Sequence, residues 1–467
     1  MTALKLFAGR ALAACTLALV ASQAAVAAIP IQQWALPNGA KVWLAESHSI
    51  PMVDVQVDFD AGDRRDPADK AGLASITAHM TSKGIAAGDG PALDENQLSE
   101  AWADLGGHFG GGASADRMSF TMRSLSYPDL LPKAVQLAAR QLGEPSFPEA
   151  IWLRERERMA ASIREANTKP ATIAGRAFAH AVYGSHPYGF ETTEATIAQV
   201  SVADMRDFYR RSVEPCRAKV SIVGDVTRAQ AETLVNSLLA RLPQRAGTAC
   251  DALPPVLDVA SLAAPQVQAI PFQSAQAHVL IGQPGYKRSD PDFFPLTVGN
   301  YILGGGGFVS RLTHEVREKR GLSYSVYSYF SPGLHAGAFT IGMQTRPDQT
   351  AEAVKVSTEV LDGFVAKGPT EAELKAAKDN LIGGFALRID SNRKLLDNIA
   401  NIAWNNLPLD YLDTWTKQVE RVTVADIRAA FARKLQRGRL VVVTVGATAA
   451  TLPQLEFCRN RRRTAVN

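Results

Sequence analysis

Histidine is the residue type in this chain best suited to bind a metal ion, and the spacing of the histidines limits what they can do. Two imidazoles share one face of a helix when they lie three or four residues apart, as a helical zinc site requires. None of the eight histidines has such a neighbour: they are His48, His79, His108, His180, His186, His278, His314 and His335. The sequence therefore predicts no metal in this chain, and His79 is expected to be a cavity or core histidine.

A second segment with useful chemistry begins at four consecutive glycines and continues into a charged helical pattern. The pattern contains Arg317, and Tyr324 follows seven residues later. Both side chains donate hydrogen bonds at neutral pH, so together they could stabilise a developing oxyanion. The alternative is that Arg317 is a surface helix residue and Tyr324 a strand anchor. The glycines lack the Gly-Lys-Ser/Thr ending of a phosphate loop and are Gly304, Gly305, Gly306 and Gly307.

The elements that carry these residues belong to an internal repeat. Residues 200–206, Val-Ser-Val-Ala-Asp-Met-Arg, reappear at 422–428 as Val-Thr-Val-Ala-Asp-Ile-Arg, an offset of 222. In both copies a hydroxyl residue precedes an Asp by three positions, which resembles a helix capping box. The same offset relates Glu149-Ala150 to Glu371-Ala372, each at the start of a long helical pattern. Two matches at one offset predict two homologous halves.

Each half is predicted to contain both strands and helices. Residues 52–60 alternate between apolar and polar types, which is typical of a half-buried strand, and residues 118–123 do the same. Together with the helical patterns, they indicate an α+β fold in which helices cover one face of a sheet. We predict an N-terminal half over residues 28–242, a Pro- and Ala-rich linker over 243–272 and a C-terminal half over 273–467.

Residues 71–84 resemble the first helix of the pitrilysin/insulinase-type zinc peptidases. In that family the helix carries the inverted zinc motif His-x-x-Glu-His, in which two imidazoles bind zinc and the Glu is the general base. The matching positions here are Ser75, Ala78 and His79, so one imidazole remains and the base position cannot accept a proton. The resemblance also implies two homologous α/β-sandwich halves, each a mostly antiparallel sheet covered by helices.

The family's third zinc ligand is a Glu on a later helix, and the resemblance leaves its position open. Counting back from the pattern His-Pro-Tyr-Gly at 186–189 places it near Ala161 and Ser162, whereas counting forward from the first helix places it near Glu155. The prediction that this chain is inactive alone does not depend on the third ligand, because the missing imidazole at Ser75 and the missing base at Ala78 already prevent activation of a metal-bound water.

Residues 317–326 resemble the arginine–tyrosine motif in the second half of the same peptidases. The resemblance implies that Arg317 and Tyr324 reach the zinc site of a facing half and donate hydrogen bonds to the scissile carbonyl. It also implies that a peptide is bound as an extra strand at a sheet edge. A loop at 106–112 and a strand at 118–125 would form that wall, and the Gly304–Gly307 loop would line the cavity from the second half.

This pattern of loss and retention resembles the non-catalytic subunit of the heterodimeric members of the family. The resemblance implies a chain that is inactive alone, with zinc expected only in a paralogous partner subunit that cleaves peptides. The alternative is a catalytically inert scaffold or peptide-binding protein of the same fold. An active single-chain peptidase would require zinc ligands that the sequence lacks.

The N-terminus predicts export. Lys5 and Arg10 precede an apolar run, and Ala25-Val26-Ala27 forms a cleavage site, so residues 1–27 are predicted to be a signal peptide. Lipoprotein anchoring at Cys15 is less favoured, because too few apolar residues precede it. The mature chain is expected in the periplasm or medium, with no membrane span and no nucleic-acid partner. Cys216 and Cys250 could form a disulfide there.

Overall fold

The computed structural model describes residues 29–243 and 250–446. The predicted signal peptide with Cys15, and the C-terminal residues from 447 onwards, lie outside the described residues. Among the helices that are described, none is both long enough and apolar enough to cross a membrane.

The first half contains eight strands and eight α-helices in its described residues. The strands are β1 (Gln32–Ala35), β2 (Lys41–Glu46), β3 (Met52–Phe59), β4 (Gly84–Ile85), β5 (Leu93–Asp94), β6 (His108–Ala113), β7 (Met118–Leu125) and β8 (Lys219–Gly224). The helices are α1 (Leu73–Met80), α2 (Glu95–Asp104), α3 (Leu131–Gly143), α4 (Glu149–Ala166), α5 (Pro170–Tyr183), α6 (Glu194–Ala198), α7 (Val202–Ser212) and α8 (Arg228–Leu239).

The second half repeats the same kinds of element. Its strands are β9 (Gln266–Ile270), β10 (Ala277–Pro284), β11 (Ser323–Phe330), β12 (Ala338–Thr345) and β13 (Val441–Val445). Its helices are α9 (Phe293–Asn300), α10 (Thr350–Lys367), α11 (Glu371–Gly383), α12 (Asn392–Asn405), α13 (Tyr411–Arg421) and α14 (Val424–Lys434). Two π-helical turns, Tyr301–Gly305 and Thr313–Glu318, lie between α9 and β11.

The two sheets have matching strand orders, which confirms the predicted α+β fold with two homologous halves. The first sheet runs β1-β2-β8-β3-β7-β6 and the second runs β9-β13-β10-β12-β11. In each sheet one pair is parallel, β2 with β8 and β9 with β13, and the other pairs are antiparallel. Strand β9 lies inside the segment that the sequence suggested as a linker.

The repeated helix starts have the same local chemistry in both halves. The Ser201 hydroxyl accepts a hydrogen bond from the backbone N–H of Asp204 at 3.1 Å, and the Asp204 carboxylate accepts one from the N–H of Ser201 at 2.9 Å. Thr423 and Asp426 exchange the same two bonds at 3.1 and 2.9 Å. Both are capping boxes with Asp in place of the usual Glu or Gln, as predicted.

Each half contributes one helix that packs on a face of the other half's sheet. Helix α5 of the first half packs on β10 and β13, where Phe178 joins a buried cluster with Val441 and Val443. Helix α12 of the second half packs on β3 and β8 of the first sheet. These helices begin at Pro170 and Asn392, again an offset of 222. The exchange joins the halves through helix–sheet packing, not through a linker alone.

The exchanged helix corrects the prediction of a half-buried strand at residues 52–60. Both faces of β3 are buried, because α12 covers the polar face that includes Asp54, Gln56 and Asp58. Burial raises the pKa of Asp58, although Arg117 at 3.0 Å opposes that shift. Arg117 also donates to the backbone carbonyl of Ala400 on α12 at 3.4 Å. The polar residues of this face therefore bond to one another and to neighbouring strands, and Arg117 and Lys219 extend these contacts to backbone carbonyls of α12.

A disulfide fixes the connection between the halves. Cys216 and Cys250 are bonded, as the sequence suggested. The chain beyond Cys250 is attached to the first half, because Arg65 donates to the carbonyl of Pro254 at 2.9 Å and Arg217 to that of Asp251 at 2.7 Å.

Candidate functional site

Helix α1 carries the degenerate motif, and its start is fixed by a carboxylate from outside the helix. Asp66 accepts hydrogen bonds from the backbone N–H groups of Gly72 at 2.8 Å and Ala74 at 2.9 Å. Gly72 has a φ of 102°, which a residue with a side chain rarely adopts. These contacts hold the first turn of α1, so that Ser75 and His79 lie one above the other on its partly exposed face.

The residues at the two motif positions that lack a zinc ligand or a base make other contacts. The Ser75 hydroxyl donates a hydrogen bond to the carboxylate of Asp63 at 2.8 Å. Burial raises the pKa of that carboxyl group, while the bonds from Ser75 act in the opposite direction. Ala78 is fully buried in the core of the first half. Neither residue offers an imidazole or a proton acceptor.

His79 contacts a glutamate that lies on α4. Its Nε2 atom is 2.9 Å from Oε2 of Glu155, which is 4% exposed. Because a carboxylate only accepts hydrogen bonds, Nε2 is the donor and carries the hydrogen. Of the two positions that counting allowed, Glu155 faces His79, whereas Ala161 and Ser162 are exposed on α4. Glu155 is thus the one of these residues that lies beside His79, and Ser75 lies on the same helix face as His79.

Cations surround the Glu155 carboxylate. Arg158 donates to Oε2, while Arg154 is 3.1 Å and Lys83 is 3.7 Å from Oε1. Burial by itself raises the pKa of Glu155, but the hydrogen bonds from His79, Arg154 and Arg158, with the charge of Lys83, lower that pKa to about 2. The carboxylate is thus ionised at neutral pH and fully supplied with counter-charge.

These residues do not fit a zinc ion. A structural or catalytic zinc site needs three or four ligand atoms, and only His79 and Glu155 offer them here. Three cationic side chains lie against the same carboxylate. Within the described residues, the one group of three metal-ligating side chains that is close enough to hold an ion is Glu214, Cys216 and Cys250, and its two sulfurs are bonded to each other.

Arg317 and Tyr324 meet in an open groove of the second half. The π-helical turn Thr313–Glu318 carries Arg317. The chain then reverses at Gly321, with a φ of 61°, and enters β11 with Tyr324 near its start. The Arg317 guanidinium carbon lies 5.0 Å from the centre of the Tyr324 ring and 4.8 Å from that of Phe308. The guanidinium group therefore lies between two aromatic rings.

The aromatic rings beside Arg317 are displayed to solvent. Tyr324 is 84% exposed and Phe308 is 71% exposed. Neither the Arg317 side chain nor the Tyr324 side chain makes a hydrogen bond or an ion pair with any residue in the described ranges 29–243 and 250–446. Their donor groups are free to bind something that approaches from outside.

The glycine-rich segment lines this groove. It was predicted to be a loop, but Gly304 and Gly305 end the π-helical turn Tyr301–Gly305. Gly304, Gly305 and Gly307 line a volume of about 610 Å³ together with Phe308, Arg317 and Tyr324. A side chain at Gly304 would place its Cβ 2.5 Å from the backbone nitrogen of Ser328. The glycine thus lets the segment lie against β11, next to the arginine.

Each candidate site lies near an edge strand of a sheet. Strand β6 ends the first sheet, and β11 ends the second. The segment at 106–112 was predicted to be a loop, but from His108 onwards it is the edge strand β6, so that prediction was wrong. Gly111 explains how glycines fit there: a Cβ on it would lie 2.5 Å from the Phe120 ring. The outer edge of β6 is not paired with another strand among the described residues.

Three residues of these sites escaped the sequence interpretation. Arg158 and Lys83 contact Glu155, and Phe308 stacks on Arg317. Arg158 had a signal in the Arg-Glu-Arg-Glu-Arg run at 154–158, because positions three apart on a helix are neighbours. Lys83 and Phe308 had none, since both reach their partners only through the tertiary fold.

Comparison with known proteins gives the family. The model for insulinase (peptidase family M16) matches residues 41–196, and that for the peptidase M16 inactive domain matches residues 199–381. A crystal structure of a peptidase M16 inactive domain from Pseudomonas fluorescens is 32% identical, with a TM-score of 0.84, over 91% of this chain and 99% of that one.

Two curated relatives extend over similar lengths. An uncharacterized zinc protease of Streptomyces coelicolor is 27% identical over 404 residues, which are 85% of this chain and 86% of that protein. A non-peptidase homolog of Helicobacter pylori is 25% identical over 404 residues, 84% of this chain and 88% of that protein. The chain therefore belongs to the insulinase family of peptidases, family M16, as a non-catalytic member whose zinc motif is degenerate.

Proposed function

We propose that this chain is the non-catalytic subunit of an exported heterodimeric zinc peptidase. It supplies Arg317 and Tyr324 to the zinc site of a paralogous subunit, which cleaves peptides. The observation that carries the proposal is the contrast between two sites: Ser75 and Ala78 cannot replace the lost ligand and base, while Arg317 and Tyr324 stand without partners in an open groove.

The chemistry of the pair suits a carbonyl oxygen of a bound peptide. A guanidinium and a phenol both donate, and negative charge develops on that oxygen when water attacks the carbonyl carbon. No hydrogen bond, ion pair or ring contact of His79 or Glu155 within the described chain involves Arg317 or Tyr324. The pair is therefore proposed to act on a zinc site in the partner, with zinc as that subunit's cofactor.

The test reconstitutes the complex with an exported paralogue that carries an intact His-x-x-Glu-His motif. Cleavage of a quenched fluorescent unfolded peptide is measured for each chain alone and for the mixture. We expect chelator-sensitive turnover from the mixture and none from this chain with added zinc. Arg317→Ala or Tyr324→Phe should each lower kcat/KM of the pair by about 10²–10³-fold without loss of association.

Two substitutions serve as matched controls. Arg320→Ala removes an arginine that follows the same helical segment and pairs with Glu315, and Tyr127→Phe removes a half-exposed phenol elsewhere. Both should leave kcat/KM unchanged. Chelator-sensitive turnover by this chain alone would refute the proposal. An active pair that is insensitive to Arg317→Ala and Tyr324→Phe would instead support the inert scaffold.

A further inference from the structure

The vestigial zinc pocket contains its own cation. Oε2 of Glu155 accepts hydrogen bonds from His79 Nε2 at 2.9 Å and from Nη2 of Arg158. The same Nη2 lies 3.5 Å from His79 Nε2. One guanidinium nitrogen therefore contacts both side chains that a zinc ion would need as ligands.

The contacts within this cluster oppose metal binding in two ways. Nε2 of His79 carries the hydrogen that it donates to Glu155, whereas a zinc ligand must present a lone pair. In addition, two ligand atoms on one tetrahedral zinc lie about 3.3 Å apart, given bond lengths of about 2.0–2.1 Å. The hydrogen-bonded pair is closer than that, at 2.9 Å. Zinc would have to break this bond and separate the two side chains.

The charges around Glu155 act in the same direction. Lys83 is 16% exposed and lies 3.7 Å from Oε1, so it holds a nearly fixed positive charge beside the carboxylate. Arg158 is 65% exposed, and its position is set by Glu155 and not by packing. A divalent cation at Oε2 would displace Arg158 from its strongest contact and would then be repelled by the remaining cations.

We infer that Arg158 replaces the metal ion: its guanidinium occupies Oε2 of Glu155 beside His79 and makes the pocket refractory to zinc even when the missing imidazole is restored. The loss of zinc chemistry in this chain is then twofold. One part is the missing ligand at Ser75. The other is the positive charge of Arg158, a position that the zinc-ligand motif does not include.

The test measures zinc affinity, not hydrolysis, on the full chain. Ser75→His restores the ligand set with His79 and Glu155, and the comparison adds Arg158→Gln to it. Zinc dissociation constants come from competition with a chromophoric chelator, and stoichiometry from metal analysis of dialysed protein. We expect the double variant to bind one zinc about 10- to 100-fold more tightly than Ser75→His alone, because one charge-assisted hydrogen bond no longer has to be broken.

Arg156→Gln on the Ser75→His background is the matched control. It removes the same charge from the same helix, and in the described structure Arg156 makes no hydrogen bond or ion pair. It should leave zinc affinity unchanged. Equal zinc affinity of Ser75→His with and without Arg158→Gln would overturn the inference, as would an equal gain from Arg156→Gln.

A second measurement does not depend on zinc or on tolerance of an added histidine. Thermal unfolding is followed for the native chain, Arg158→Gln, Glu155→Gln and the variant that combines Arg158→Gln with Glu155→Gln. If the guanidinium neutralises Glu155, Arg158→Gln should lower the melting temperature of the native chain and have little effect in the Glu155→Gln background. If the changes in melting temperature of the two substitutions were additive, Arg158 would be an ordinary surface side chain, and its proposed role as the replacement for zinc would be refuted.

Discussion

The exchange of helices between the halves predicts that Phe178 stabilises the whole molecule. Phe178 lies on α5 of the first half, is 6% exposed and packs on the second sheet. Its ring has room there because Gly282 has no side chain: a Cβ at that position would lie 2.8 Å from the ring tip. The cavity left by Phe178→Ala cannot close easily, since Gly282 is fixed between β12 and β13.

Phe178→Ala should therefore cost about 3–5 kcal/mol, the usual range for removing a buried phenyl ring. That is a large part of the roughly 5–15 kcal/mol by which domains are stable. Urea unfolding would be followed by tryptophan fluorescence and by circular dichroism. One coincident transition shifted to lower urea is expected, because α5 and α12 couple the two sheets. Leu387→Ala, at a side chain that is 67% exposed, should change stability by less than about 0.5 kcal/mol.

Two results would contradict this reasoning. A loss below about 1 kcal/mol would mean that the ring is not a core residue of the second half. Two separate transitions, with only one shifted, would mean that the halves unfold independently and that the exchanged helices do not couple them.

Three further predictions concern charge, a covalent link and a partly buried phenol. The pKa of Glu155 is lowered from 4.5 to about 2, so its ionised form stabilises the fold above pH 4.5, and this contribution is lost as the pH falls towards 2. Chemical unfolding across that pH range should show a steeper loss of unfolding free energy for the native chain than for Glu155→Gln. Replacing Cys216 and Cys250 by serine, which opens a loop with a sequence separation of 34, should cost about 3–4 kcal/mol in urea unfolding, with no further effect of reductant on the variant. Tyr188→Phe removes a phenol that donates to Asp116 at 2.6 Å and accepts from the backbone N–H of His335 in the second half at 3.2 Å, which should cost about 1–3 kcal/mol in thermal unfolding. An unchanged melting temperature would show that these bonds do not hold the halves.

Elements whose pattern is local could be predicted from the sequence. The capping boxes at 201 and 423 and the strands β3 and β7 all depend on residues close together in the chain. The glycine-rich segment at 106–112 was interpreted as a loop, because glycine usually weakens strands. Its role as a strand depends on Phe120 of the neighbouring strand, which fills the space that side chains would take.

The parts that could not be predicted arise from contacts between distant segments. The burial of Asp54 and Asp58 requires α12, which is far away in sequence. The choice of Glu155 over Ala161 and Ser162 requires the direction in which α4 crosses α1. Periodicity gives the face of a helix but not its crossing partner, so counting alone left both positions open.

The two candidate sites of this chain differ in how their charges are satisfied. At the vestigial pocket, every charge near Glu155 has a partner, as folding requires of a buried carboxylate. At the groove, the side chains of Arg317 and Tyr324 have no hydrogen-bond or ion-pair partner among the described residues, and two aromatic rings stand in solvent beside the guanidinium. Exposed stacking of this kind contributes about 0.5–1 kcal/mol, too little to explain the arrangement by stability. The proposed binding of a partner's substrate would account for it, since the free donors and the exposed rings would both be covered in the complex.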